Sequence, residues 1–185
     1  METAPSLLHA DATRVLHAYQ PTDGQQEGLR LDYLAFLAEH PDGVWKAGPP
    51  EHLTASCLVL DETLERVLLT HHRRARMWFQ FGGHLEPVDR SVRAAAEREA
   101  TEESGVTGLR VTPVPVHLDR HVLVGDFGRC REHLDVRYAA TAPTAAEPRA
   151  SAESLDVQWW SVDGLPEGHV EELGGLVTAA RRAFG

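Results

Sequence analysis

Residues 82–106, GGHLEPVDRSVRAAAEREATEESGV, decide how the rest of the chain is read. They set Glu97, Glu99, Glu102 and Glu103 around Arg98, directly behind a glycine pair and an alanine-rich run. Residues three and four apart are neighbours on a helix, so Glu99 stands beside Glu102 and Glu103, and Arg98 beside Glu102. Carboxylates that converge in this way do not ionise independently. A divalent cation resolves the conflict, and magnesium is commonly held by a few carboxylates, waters and substrate phosphates. Glu97 falls on another face and reads as a solvated charge. The pair Gly82-Gly83 fits the same picture, because glycine lets a backbone carbonyl come close to an ion.

The local signals around this patch predict a helix. Asp89 or Ser91 supplies its N-cap, Val92, Ala95, Ala96 and Ala100 an apolar stripe, and Gly105 its stop. Side chains this small predict close packing on a sheet. Upstream, HLTASCLVLD from His52 and ERVLLTHH from Glu65 read as strands joined by a hairpin, and MWFQF at 77–81 as a third. Downstream, GLRVTPVPVHL, HVLVGDF, EHLDVRYAAT and DVQWWSV read as further strands, and residues 170–184 as a closing amphipathic helix. Residues 142–152, rich in Ala, Pro and Thr, read as an exposed loop. At the other end, residues 5–19 and 24–40 carry helical spacing, and the Ala-Gly-Pro-Pro run at 47–50 marks a boundary. Strands, one helix, more strands and a final helix predict an α+β or mixed α/β/α layered arrangement.

The bulk properties narrow the function. A chain of 185 residues suits one domain with a small extension. Its net charge of -10 argues against binding nucleic acid or an anionic membrane, both of which need a positive patch. It allows a small phosphorylated substrate, since bound cations reverse the local sign. Cys57 and Cys130 form no CxxC pair, so neither a zinc ribbon nor a redox motif has support, and a disulfide between them is open but unforced. No signal peptide or membrane-length apolar run appears, and the cytoplasm is the default compartment.

The stretch from Gly83 resembles the Nudix box, the signature of the Nudix hydrolase superfamily, written G-x5-E-x7-R-E-U-x-E-E-x-G-U with U apolar. Gly83, Arg98, Glu99, Ala100, Glu102, Glu103, Gly105 and Val106 fall on box positions, and the tail REATEESGV is a highly specific match. Two departures lie upstream of that tail. Asp89 stands where the box has its first glutamate, and eight residues rather than seven separate it from Arg98. They leave the spacing of Glu99, Glu102 and Glu103 untouched and put in question only the part played by Asp89.

The resemblance implies an α/β/α sandwich around a mixed sheet, with a Nudix domain over residues 49–185 and an N-terminal helical extension over residues 1–48. It also implies hydrolysis of a phosphoanhydride in a nucleoside diphosphate linked to another group, with magnesium or manganese. Carried over by position, Glu99, Glu102, Glu103 and the carbonyl of Gly82 become the metal ligands, and Arg98 orients a glutamate. Glu99 or Glu103 serves as general base, with Glu132, Asp135 and Glu153 as candidates from outside the box. His84, Glu86, Arg76 and Asp135 are the candidates for gripping substrate. The implied partner is a small nucleotide derivative, and the N-terminal helices offer a surface for a partner or a homodimer. An isomerase on the same fold needs a catalytic cysteine in a motif that neither cysteine has. A non-catalytic nucleotide sensor is expected to carry an eroded box and an added DNA-binding domain.

Eleven histidines is a high count, and His71, His72, His84, His117, His121 and His133 lie in or beside the expected sheet and box. None has zinc-motif spacing, so each reads first as a surface or hydrogen-bonded histidine. His84, next to the glycine pair, is the one as well suited to reach a phosphate. Trp78, Phe79 and Phe81 read as core. Trp159 and Trp160 point to opposite faces of their strand, one expected buried and the other free.

Overall fold

The computed structural model describes residues 6–123, 128–152 and 154–185. In chain order the elements are α1 (Leu7–Ala18), α2 (Gly24–Glu39), β1 (Glu51–Leu60), β2 (Arg66–His72), β3 (Trp78–Phe79), β4 (Phe81–His84) and α3 (Val92–Ser104). Then follow β5 (Arg110–Val111), β6 (His117–Val122), β7 (Glu132–Thr141), β8 (Ser154–Ser161) and α4 (Leu173–Phe184). Among the described residues no helix is long and apolar enough to cross a membrane.

The starts of α1, α2 and α3 follow the capping rule. Ser6, Asp23 and Ser91 each accept a backbone N–H three residues on, satisfying donors that the first helical turn leaves free. At the far end of α3, Gly105 takes the left-handed conformation (φ 69°) that closes a helix.

The sheet is mixed. β1 and β7 pair in parallel at its centre, and β2, β3, β4, β5, β6 and β8 join by antiparallel ladders. Side chains alternate between its faces. One face carries Leu53, Ala55, Cys57 and Val59 of β1 with Leu134, Val136, Tyr138 and Ala140 of β7, packed in one cluster with Val92, Ala95, Ala96 and Ala100 of α3. The other carries Leu58, Leu60, Val67 and Leu69 against Leu173, Leu176 and Val177 of α4. This is the expected α/β/α layering, and the alanine stripe of α3 is fully buried.

The N-terminal helices pack into the first cluster, with Leu8, Ala12, Val15 and Leu16 from α1 and Tyr33 and Leu37 from α2. Asp11 on α1 accepts the Val92 N–H at the start of α3 at 2.8 Å. On α2, the Gln26 amide takes the Leu118 N–H at 2.8 Å and donates to the Leu118 carbonyl at 3.0 Å, the two bonds a neighbouring strand would make. It thereby covers part of the edge of β6, where unpaired backbone would otherwise stand open.

Three sequence expectations change, the first at MWFQF, which is not one strand but the end-to-end pair β3 and β4, divided at Gln80. GLRVTPVPVHL is not one strand: β5 stops at Val111 and β6 starts at His117, because Pro113 and Pro115 lack the N–H that a ladder needs. β6 instead runs into the start of HVLVGDF, whose residues 124–127 lie outside the described residues. Trp159 and Trp160 do point to opposite faces, but both are half-buried, one against each core cluster. Cys57 and Cys130 are both free thiols.

Candidate active site and the polar sheet face

The carboxylates and the glycine pair meet where α3 crosses β4. An added Cβ at Gly83 would lie 2.6 Å from Glu99 Oε1, so the absence of a side chain is what lets this carboxylate rest on the strand. At Gly82 the crowding comes from the opposite side, where a Cβ would meet Ser56 Cβ at 2.4 Å. The Gly82-Gly83 backbone is therefore pressed between β1 and Glu99. Glu102 lies one turn of α3 away and is exposed, with Glu103 half-buried beside it.

Arg98 ties the patch together. It donates from Nε and Nη2 to the two oxygens of Asp89, both at 2.9 Å, from Nη1 to Glu99 at 3.0 Å and to Glu102 at 3.3 Å, and from Nη2 to the His84 carbonyl at 3.1 Å. Asp89 also accepts the Glu86 N–H at 2.8 Å and is almost fully buried. The residue whose part the sequence left in question is thus the bidentate anchor of the arginine. Its hydrogen bond, with the adjacent Glu99 charge, holds the Arg98 guanidinium well above its ordinary range. Burial pushes the Glu99 carboxyl up and Arg98 offsets part of that, while the charges of Glu102 and Glu86 add to the rise. A cluster of hard oxygen donors, half-buried at Glu99 and Glu103 and exposed at Glu102, is a donor set that suits magnesium or manganese.

The remaining candidates fall in different surroundings. Glu86 is exposed in the loop before α3. Arg76 is exposed in the β2–β3 connection, with a left-handed φ of 58°. Glu132 pairs with Arg120 at 2.7 Å. Glu153 lies outside the described residues. Asp135 is buried and already accepts from Thr54 at 3.1 Å, Ser56 at 2.7 Å and Arg137 at 3.0 Å, while Arg137 also donates to Asp119 at 2.8 Å.

These last residues belong to a polar stripe on the sheet face away from α3. The pairing of β1 with β4 and β7 and of β6 with β7 sets His52 beside His133, Thr54 beside both His84 and Asp135, and His121 beside His133. Several histidines there have a hydrogen-bond or stacking partner as the sequence suggested, although the buried Nδ1 of His117 has none among the described residues. His121 bonds Asp119 at 2.9 Å, and although burial opposes its charge, Asp119 and Asp135 outweigh that and hold its pKa up. His117 contacts Gln26 at 3.2 Å, and His71 stacks on Trp78 with ring centres 4.9 Å apart.

His52, His84 and His133 are set apart by forming one cluster. Their ring centres lie 5.1 to 5.2 Å from one another, and Cys130 Sγ stands 3.9 Å from His84 Nε2. Burial pushes His133 down to about 3, with the neighbouring imidazoles adding to the shift. Burial likewise takes His84 to about 4, with Lys46 and His52 contributing. Sequence reasoning gave no place here to His52 or Cys130, since nothing in their local spacing links them.

Comparison with known proteins agrees with this geometry. The family model for the NUDIX domain matches residues 50–180. The chain belongs to the Nudix family and is a hydrolase of that type. A NUDIX-family hydrolase from Clostridium perfringens is 26% identical, with a TM-score of 0.52 over 71% of this chain and 95% of its own. MutT NUDIX hydrolase from Burkholderia pseudomallei is 22% identical, with a TM-score of 0.56 over 70% of this chain and 97% of its own. An Ap4A hydrolase from C. elegans is 18% identical, with a TM-score of 0.55 over 71% of this chain and 96% of its own. No curated protein sequence matches the chain significantly.

Proposed function

We propose that this protein hydrolyses a phosphoanhydride bond in a small nucleoside diphosphate derivative. The observation that carries the reading is the meeting of Glu99 with the Gly82-Gly83 backbone, with Glu102 and Glu103 beside it on the same helix and Arg98 clamped by Asp89. Glu99, Glu102, Glu103 and the Gly82 carbonyl would hold magnesium or manganese. A cation bound there lowers the pKa of a water and offsets the charge that develops on the phosphate.

The chain's own residues then have distinct tasks. Arg98 holds Glu99 in place and limits repulsion between it and Glu102. Glu99 or Glu103 takes the proton from the attacking water. Glu86 and Arg76 are proposed to meet the substrate from the loops on either side, and His84, whose ring turns to the opposite sheet face, to serve the site through the carbonyl that accepts from Arg98. Asp135, with its oxygens engaged by Thr54, Ser56 and Arg137, supports that surface from beneath. The name of the Ap4A hydrolase among the structural neighbours favours a substrate of the same general kind, a small molecule with linked phosphates. A net charge of -10 favours such a partner over nucleic acid, and the cytoplasm is the proposed compartment.

The test is a screen of nucleoside diphosphate derivatives with magnesium and with manganese, reading phosphate released after a coupled phosphatase. The double variant Glu102→Gln/Glu103→Gln is expected to lose at least about 100-fold in metal-dependent turnover with an unchanged circular dichroism spectrum. Turnover in that variant equal to the parent's would overturn the reading.

A further inference from the structure

We propose that His52, His84, Cys130 and His133 form a second, separate metal site, a closed tetrahedral site for Zn(II). The proposal does not depend on which phosphoanhydride the protein cleaves or on whether it cleaves one.

The four residues offer one donor atom each, and these atoms all lie within 4.8 Å of one another. In tetrahedral zinc, nitrogen and sulfur donors at their usual bond lengths stand about 3.3 to 3.6 Å apart. A contraction of about 1 Å, within reach of side-chain rotation, closes the cluster around an ion.

The polar atoms point the same way. His52 is fully buried, and its Nε2 has no hydrogen-bond partner among the described residues; His133 Nε2 is likewise buried and unpartnered. A buried polar atom left unpaired costs free energy, so two facing the same cluster need an explanation. His52 Nδ1 lies 3.2 Å from the Pro49 carbonyl, to which it donates, and this fixes the tautomer that leaves the Nε2 lone pair free. Metal-binding histidines commonly carry such a backbone acceptor on their other nitrogen.

The donor set selects the metal. Three imidazoles and a thiolate suit zinc and not magnesium, which takes oxygen ligands. Four protein ligands leave no open position, as in structural rather than catalytic zinc sites. Binding converts the Cys130 thiol to thiolate, with its proton released to solvent.

The placement gives the ion a task. His52 is the second residue of β1, His84 closes β4, and Cys130 and His133 flank the start of β7, so one ion ties together three strands that the backbone joins only through long connections. Gly83 faces Glu99 and the next residue, His84, turns to the opposite sheet face, so the two sites lie on either side of β4. Because the His84 carbonyl accepts from Arg98, zinc on its ring also steadies the loop behind the carboxylates.

The test uses the full-length chain stripped with chelator and titrated with Co(II). The expected result is one equivalent of cobalt giving a thiolate-to-cobalt charge-transfer band with the intense visible bands of tetrahedral coordination, displaced by one equivalent of zinc. Cys130→Ser is expected to abolish the charge-transfer band, and His133→Ala to weaken zinc binding at least tenfold. Glu102→Gln/Glu103→Gln is expected to leave the band in place. If His133→Ala fails to fold, Cys130→Ser, which only exchanges sulfur for oxygen, carries the test. A cobalt spectrum without thiolate coordination, or cobalt binding lost in the glutamate variant and kept in Cys130→Ser, overturns the proposal.

Discussion

Gly82 and Gly83 are chemically identical neighbours, yet their surroundings predict opposite outcomes for the same substitution. In Gly83→Ala the new methyl meets the far end of a side chain, the Glu99 carboxylate, which can swing away. The fold is expected to survive while turnover drops about 10- to 100-fold, because a misplacement of about 1 Å at a reacting centre costs that much. In Gly82→Ala the methyl meets Ser56 Cα at 2.8 Å and the Ala55 carbonyl at 2.9 Å, which are fixed parts of β1. Here a loss of about 2 to 3 kcal/mol is expected in urea unfolding. At this scale the sequence was readable where neighbours along the chain make the site, as in REATEESGV. It was silent on Asp89, because whether a carboxylate one carbon shorter and one residue further away still reaches Arg98 depends on the path of the loop. That path doubles back through the Glu86–Asp89 turn, where the Asp89 N–H donates to the Glu86 carbonyl at 2.9 Å.

Between elements, much of the organisation rests on side chains that complete another segment's backbone. Asp11 on α1 caps α3 at Val92, in addition to that helix's own Ser91 cap. Asp11→Ala is expected to lower stability by about 1 kcal/mol in chemical denaturation, with no change in the sheet's spectral signature. Asp61 does the same for the β1–β2 connection, accepting the Glu65 and Arg66 N–H groups, each at 3.0 Å, and the Arg66 side chain. Burial alone would raise its pKa, but the hydrogen bonds from Arg66, Thr63 and Glu65 outweigh that and hold it below the usual aspartate value. A depressed carboxylate adds stability that is full above its unfolded pKa, about 4, and is lost as pH falls below it. Asp61→Asn is therefore expected to flatten the acid limb of the stability curve below about pH 4, measured by urea midpoints. The elements themselves were largely legible from period and capping residues. Their pairing was not: the cluster of His52, His84, Cys130 and His133 gathers residues from three strands and a loop, and local spacing links only Cys130 and His133, as C-x-x-H.

The whole molecule behaves as one cooperative body in its packing. α1 and α2 supply Leu8, Ala12, Leu16, Tyr33 and Leu37 to the same buried cluster that holds the box helix on the sheet. Tryptophan fluorescence and far-ultraviolet circular dichroism are expected to report a single coincident unfolding transition. A chain lacking residues 1–48 is expected to lose that transition or to aggregate, because the part of the core cluster that α1 and α2 close and the edge of β6 would be uncovered. The central parallel pairing of β1 with β7 has a further consequence, for the order in which the chain can be built. Thr54 meets Asp135 across a separation of 81 positions, so β1 is synthesised long before the strand that completes its ladder. On the ribosome, β1 can find β2 at once, but the sheet cannot close until Thr141 has emerged. Contacts this distant make folding slow compared with a helical chain of similar size. During that interval the apolar run of β1 is the segment most in need of protection from other nascent chains.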